Sequence, residues 1–161
     1  MTNYNFDSTF VAKSEFLSNT KFSGGLSLES SAKVREIYEK VCVYTTSSYS
    51  SLEIDVNQGS LHHYTAEAGS NFTVNLKNLK DAPTQTSIVI TLLLTMGSSA
   101  YVMSNPSTTG FKIDDKAVVV KWINSTPPTS GFTNAVNVYT FAVVKTTATD
   151  YTVLGTLSGF G

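Results

Sequence analysis

Residues 86–96 read TSIVITLLLTM, a stretch without a single charged side chain. Apolar residues occupy both parities of the run, so it buries on two sides, and its length alone would also suit a helix. The β-branched block Ile88, Val89, Ile90 and Thr91 decides for a central strand, which Gly97 ends. Working upstream, Leu52, Ile54 and Val56 alternate with Glu53, Asp55 and Asn57, and Phe72, Val74 and Leu76 alternate with Thr73, Asn75 and Lys77. Alternation at a period of two gives each of these strands one wet face. Leu61 to Thr65 forms a shorter strand between Gly59 and Gly69. Downstream, strands are expected at Ala100 to Met103, Phe111 to Ile113, Ala117 to Trp122, Val136 to Thr146 and Tyr151 to Leu157. Asp114-Asp115 supplies a tight turn, and Pro127-Pro128 with Ser130-Gly131 marks a longer loop.

Eight or nine short strands with no helical blocks between them point to an all-β chain, an antiparallel β-sandwich of jelly-roll-like form. Composition agrees, because 21 Ser, 22 Thr, 16 Val and 18 aromatic residues in 161 favour strands and turns over helices. The core expected from alternation is Leu52, Ile54, Val56, Phe72, Val74, Leu76, Val89, Leu93, Trp122, Phe141 and Val143.

The N-terminal portion differs. Residues 1–33 read as an extended polar arm and residues 34–161 as the β-domain. Tyr4, Phe6, Phe10, Phe16 and Phe22 punctuate the arm at spacings that fit neither 2.0 nor 3.6. Such a segment cannot bury five aromatics by itself. Two readings remain open, an arm wrapped over its own domain or an arm docked into another subunit, and aromatic rings are effective anchors in the second. A short helix is expected over Ser31 to Val41, with Ser30 or Ser31 as its cap, before a first strand at Val41 to Tyr44.

Charge narrows the function. Eleven Lys and Arg against twelve Asp and Glu give a net charge of −1, which leaves no basic excess to displace counterions from nucleic acid. The most apolar run is about half of the roughly 20 residues that a membrane helix needs, and the start, MTNYNFDST, has neither the charged nor the apolar region of a signal peptide. The reading is therefore no nucleic acid and no membrane.

Nor does a catalytic or metal-binding constellation emerge. His62 and His63 are the two histidines, and adjacent strand positions point to opposite faces. Glu53 and Asp55 share a face at a separation that paired glycosidase carboxylates could have, but a solvated strand face explains them with fewer assumptions. Cys42, the lone cysteine, lies between Val41 and Val43 and reads as a small buried hydrophobe. Asp114 and Asp115 serve the turn, without the further oxygens that calcium requires. No nucleophile elbow or phosphate loop is present. The expectation is a non-enzymatic protein with no catalytic residues, no cofactor and no metal.

One set of segments carries a resemblance: AYVMS at Ala100 to Ser104, FKIDD at Phe111 to Asp115, VKW ending at Trp122, NVYTFAVVKT at Asn137 to Thr146 and YTVLGTLSGFG at Tyr151 to Gly161. In this order they resemble a family of marine bacteriophage virion structural proteins, often from phages of cyanobacteria. EKVCV at Glu39 to Val43 and NFTVNL at Asn71 to Leu76 are weaker upstream parts, and residues 1–33 lie outside the likeness. Asp115 stands where the family pattern has a hairpin glycine, and Ile123 to Ser130 (INSTPPTS) replaces a shorter glycine-rich loop. The resemblance implies an antiparallel β-sandwich displayed on a virion, assembled in the host cytoplasm, with no catalytic residues.

Within that implication, a compact domain with a short aromatic arm and no heptad shaft suits a capsid decoration or cement protein. The alternative is a tail-fibre or head-fibre module that binds host surface glycans, for which Trp122 and Tyr139 would be the stacking candidates. The implied partners are the major capsid protein or other virion proteins, contacted through Tyr4, Phe6, Phe10, Phe16 and Phe22, and further copies of the chain, as a trimer by analogy.

Overall fold

The computed structural model describes residues 38–46 and 49–161. The expected arm, the helix expected to begin at Ser31 and the anchors Tyr4, Phe6, Phe10, Phe16 and Phe22 lie outside the described residues, as does the domain boundary at residue 34. Ten strands follow in chain order: β1 (Val41–Tyr44), β2 (Ser51–Asp55), β3 (Leu61–Tyr64), β4 (Thr73–Lys77), β5 (Thr86–Thr95), β6 (Phe111–Ile113), β7 (Lys116–Ala117), β8 (Val120–Trp122), β9 (Val136–Lys145) and β10 (Tyr151–Phe160). The all-β reading holds. The strands form a six-stranded sheet ordered β1-β3-β5-β9-β10-β8 and a four-stranded sheet ordered β2-β4-β6-β7.

Strand direction departs from the antiparallel expectation, since five of the eight described ladders are parallel and three antiparallel. From β1 to β6 the chain changes sheet at every step, winding as a two-sided coil. Each turn of the coil lays a strand parallel to the one deposited a turn earlier. Val41 thus sits beside Leu61 and Leu61 beside Thr91 in one sheet, while Leu52 sits beside Val74 and Val74 beside Phe111 in the other. Parallel neighbours cannot be joined by a short hairpin and need a crossover, which these connections supply by passing through the opposite sheet. A period-two pattern reports which side of a strand is wet and says nothing of its neighbour's direction.

Hairpins occur where the turn chemistry permits. Asp114 and Asp115 have φ of 46° and 71°, the paired left-handed conformation of a tight hairpin between β6 and β7. β9 and β10 pair antiparallel over their full length, from Tyr151 opposite Lys145 to Phe160 opposite Val136. Their connection is tied by Thr147 Oγ1, which donates to Asp150 Oδ2 at 2.7 Å and accepts from the Asp150 N–H at 3.1 Å. The expected strand at Ala100 to Met103 reduces to one bridge between Phe72 and Met103, and the expected strand Ala117 to Trp122 splits into β7 and β8 on different sheets.

Both sheets contribute to one core. Leu52, Ile54, Phe72, Val74, Leu76, Trp122, Phe141 and Val143 are buried as expected, with Val56 packed against them. Phe141 contacts Phe111 from the opposite sheet at 4.7 Å between ring centroids, and Trp122 at 6.0 Å. Gly155 makes room for the indole, because a Cβ there would lie 2.6 Å from Val120 and 3.0 Å from the Trp122 ring. Two core assignments are corrected: Val89 is 52% exposed and Leu93 points to the outer side, while Ile90, Leu92 and Leu94 are buried. The pairing of Ile90 with Phe141 and Leu92 with Tyr139 fixes this parity, which a run apolar on both sides leaves undetermined.

Candidate functional site

The paired carboxylates are the first candidates. Asn75, buried on β4, donates to Glu53 Oε1 and Oε2 at 3.2 and 3.1 Å and to Asp115 Oδ1 at 2.8 Å, and its Oδ1 accepts from the Asp115 N–H at 3.2 Å. Lys77 pairs with Glu53 at 3.2 Å and also with Asp115. Asp55 accepts from Asn57 N–H at 3.0 Å and from Asn78 Nδ2 at 2.8 Å. Donation from Asn78 and then Asn57 holds the Asp55 carboxyl below its usual range. A glycosidase acid needs its pKa raised, so this environment works against proton donation. The four-stranded sheet therefore links its outer charges across β2, β4 and the β6–β7 turn.

The remaining polar candidates also have structural duties. Asp114 accepts from the backbone N–H groups of Asn78 and Lys80, both at 2.7 Å, pinning the loop after β4 to the hairpin. Asp115 carries its positive φ while joined to Lys77 and Asn75, whose hydrogen bonds lower its pKa in that order. His62 is fully buried, with Nδ1 3.1 Å from the Tyr44 hydroxyl and Nε2 3.0 Å from Gly59 O. A carbonyl can only accept, so Nε2 carries the proton and Nδ1 takes the Tyr44 hydroxyl hydrogen. Burial pushes the His62 pKa down. His63 lies on the other face, and among the described residues no group of three His, Cys, Asp or Glu side chains is placed to hold a metal ion. Cys42 is buried with Sγ 3.5 Å from Gln58 O.

Trp122 and Tyr139 are 7% and 0% exposed, so neither presents a ring face for a sugar. The indole N–H donates to Pro106 O at 3.0 Å, and the Tyr139 hydroxyl accepts from Met103 N–H at 3.2 Å. One buried cation escapes the sequence reading. Lys145, 3% exposed at the end of β9, donates to the carbonyls of Leu79, Lys80 and Ala82 at 3.2, 2.6 and 2.7 Å. It borders a cleft of about 250 Å³ lined chiefly by Val56, Leu79, Ala82, Pro83, Ile88 and Val143. The ammonium is committed to the loop that walls this cleft.

A surface that the sequence reading does not isolate is the outer side of the six-stranded sheet. In β9 every second residue from Asn137 to Lys145 is buried, which turns Val136, Val138, Thr140, Ala142 and Val144 outward. Register aligns these positions in rows. One row runs Val41, Leu61, Thr91, Thr140, Thr156, and the next runs Val43, His63, Leu93, Val138, Ser158. A third joins Val89, Ala142 and Leu154, and ends at Lys121 on β8. Val43, Val89 and Leu154 are 59%, 52% and 48% exposed, so exposed aliphatic side chains are spread across the sheet among its serines and threonines. No Asp or Glu takes part in these rows, and Lys121, at the sheet edge, is their one lysine.

Aliphatic, serine and threonine side chains dominate these rows, with His63 on β3 and Lys121 on β8 as their ionisable members, an arrangement that suits packing against another surface. No family model, curated protein or solved structure matches this chain.

Proposed function

We propose that this chain is a non-enzymatic virion structural protein, a capsid decoration or cement protein that works by noncovalent attachment. The observation that carries the reading is the broad outer face of the six-stranded sheet, where valine, leucine and alanine mix with serine and threonine and charge is nearly absent, on a chain whose other outer face is charged. Large apolar patches mark surfaces that are covered in the working assembly. The order of segments from Ala100 to Gly161 directs that general reading toward bacteriophage particles, and toward sandwich modules displayed on them.

In this reading, residues 1–33 are the anchoring arm and Tyr4, Phe6, Phe10, Phe16 and Phe22 its contacts to the major capsid protein or another virion protein. Burying each Phe ring contributes about 1.5–3 kcal/mol, enough for several rings together to offset the ordering of a polar arm. The chain assembles in the host cytoplasm as a homo-oligomer, trimeric by analogy with other virion projections.

Attachment is tested by mixing the full chain, and a form lacking residues 1–33, with purified capsids and measuring what cosediments. The full chain is expected to cosediment and the truncated form to remain in the supernatant with its cooperative melting intact. Equal attachment of both forms would move the anchor onto the β-domain. A full chain that ignores capsids and instead binds a host glycan array would favour the fibre-module reading.

A further inference from the structure

We infer that the outer face of the six-stranded sheet is the contact between copies of this chain, covered by the same face of a second copy. The inference rests on the reading of the chain as an assembly component and names the partner that takes this face. Size is the first argument. Strands β5, β9 and β10 have ten residues each. At about 3.3 Å per residue and about 4.8 Å between strands they present roughly 480 Å² in projection, and the shorter β1, β3 and β8 bring the face to roughly 650 Å². Side-chain relief adds to that figure, so a single face approaches the roughly 800 Å² that each partner gives to a stable interface.

Charge is the second argument, and it selects the occupant. A face bearing acidic or basic clusters calls for a partner of opposite sign and repels its own copy. Here the rows through Val43, Leu93 and Val138 and through Val89 and Leu154 place no carboxylate on the face and keep Lys121 at its rim. Such a surface can meet itself without juxtaposing like charges. Its threonines and valines, stiff at χ1, lose little side-chain freedom when covered. An isologous contact between identical faces is also the commonest way for a soluble chain to oligomerise.

The test is sedimentation velocity on the full chain and three variants over the micromolar range. Wild type is expected at twice its 17.4 kDa monomer mass, whereas three times that mass requires a contact between unlike faces and overturns the inference. The double variant Val89→Lys, Leu154→Lys, which sets two buried like charges in the contact, is expected to fall to the monomer mass, and Ser51→Lys on the four-stranded sheet is expected to keep the wild-type mass. Val43→Lys on the edge strand β1 repeats the test with less disturbance should the double variant lose cooperative melting. A wild type that stays at 17.4 kDa throughout, or a folded face variant that keeps the wild-type mass, overturns the inference. Capsid cosedimentation of the same proteins reads the attachment proposal separately, because a monomeric variant that still attaches through its arm removes this contact and leaves that reading standing.

Discussion

On the four-stranded sheet, Glu53, Asn75, Lys77 and Asp115 cross-link three consecutive stretches of the coil, and Asp114 secures the loop at Asn78 and Lys80. On the six-stranded sheet, the outward positions of β5, β9 and β10 carry valine, leucine, alanine, serine, threonine and phenylalanine, with no ionisable group among them. The two surfaces bound the same core, so packing inside cannot account for the contrast. The contrast fits the proposed division: charges that neutralise one another suit contact with water, whereas a nearly uncharged sheet bearing exposed aliphatic side chains gains by being covered. Structure and proposed assembly are thereby divided between the two sides of the domain.

The most damaging change should break what both sides share. Phe141→Ala removes a ring that touches Phe111, Trp122 and Tyr139, and is expected to cost about 3–5 kcal/mol in urea unfolding, with oligomer and monomer failing together. Next, Asn75→Ala withdraws donors from Glu53 and Asp115 and the acceptor for the Asp115 N–H, for an expected loss of about 1–3 kcal/mol by the same assay. Its sedimentation should match wild type, because the damage falls on the charged side. If Asn75→Ala instead abolished association, the division of labour would be wrong.

Acidification separates the two sides more gently. The unfolded chain protonates His62 near 6.5 while the buried, folded imidazole resists, so stability is full above that pH and falls as pH drops from 6.5 toward the lower folded value. His62→Gln is expected to flatten the melting temperature in this window. Asp55 and Asp115 contribute at more acid pH: their folded pKa values lie below 3.8, and the stability they add is lost as pH falls through those lower values. The smallest effect is expected from Ser51→Lys, an exposed position, with thermal unfolding within about 0.5 kcal/mol of wild type.

How far the sequence discloses this depends on whether a strand has one wet side. In β2 and β4, charged or amide residues alternate with Leu52, Ile54, Val74 and Leu76, and these inward positions are legible directly. Asp114-Asp115 is legible as a hairpin because few residue types accept two successive positive φ angles. β5 is not, since apolar residues fill both parities and only the partner β9 selects Ile90 and Leu92 over Val89 and Leu93. Parallel pairing and the burial of Lys145 are hidden for a related reason, as both depend on chain that returns from the other sheet. The apolar face did leave a signal. Residues 86–95, 136–144 and 151–160 contain no Asp, Glu, Lys or Arg at all, and three such strands side by side must present an uncharged surface on both sides of their sheet.

The measurement that tests this division most directly is thiol labelling of single cysteines in a Cys42→Ala background, with Val89→Cys on the six-stranded sheet and Thr73→Cys on the four-stranded sheet. Maleimide modification would be followed by intact mass as protein concentration is raised through the association range. The account predicts that the thiol at position 89 becomes protected as concentration rises while the thiol at position 73 reacts at a constant rate. Equal, concentration-independent labelling of both positions would contradict it.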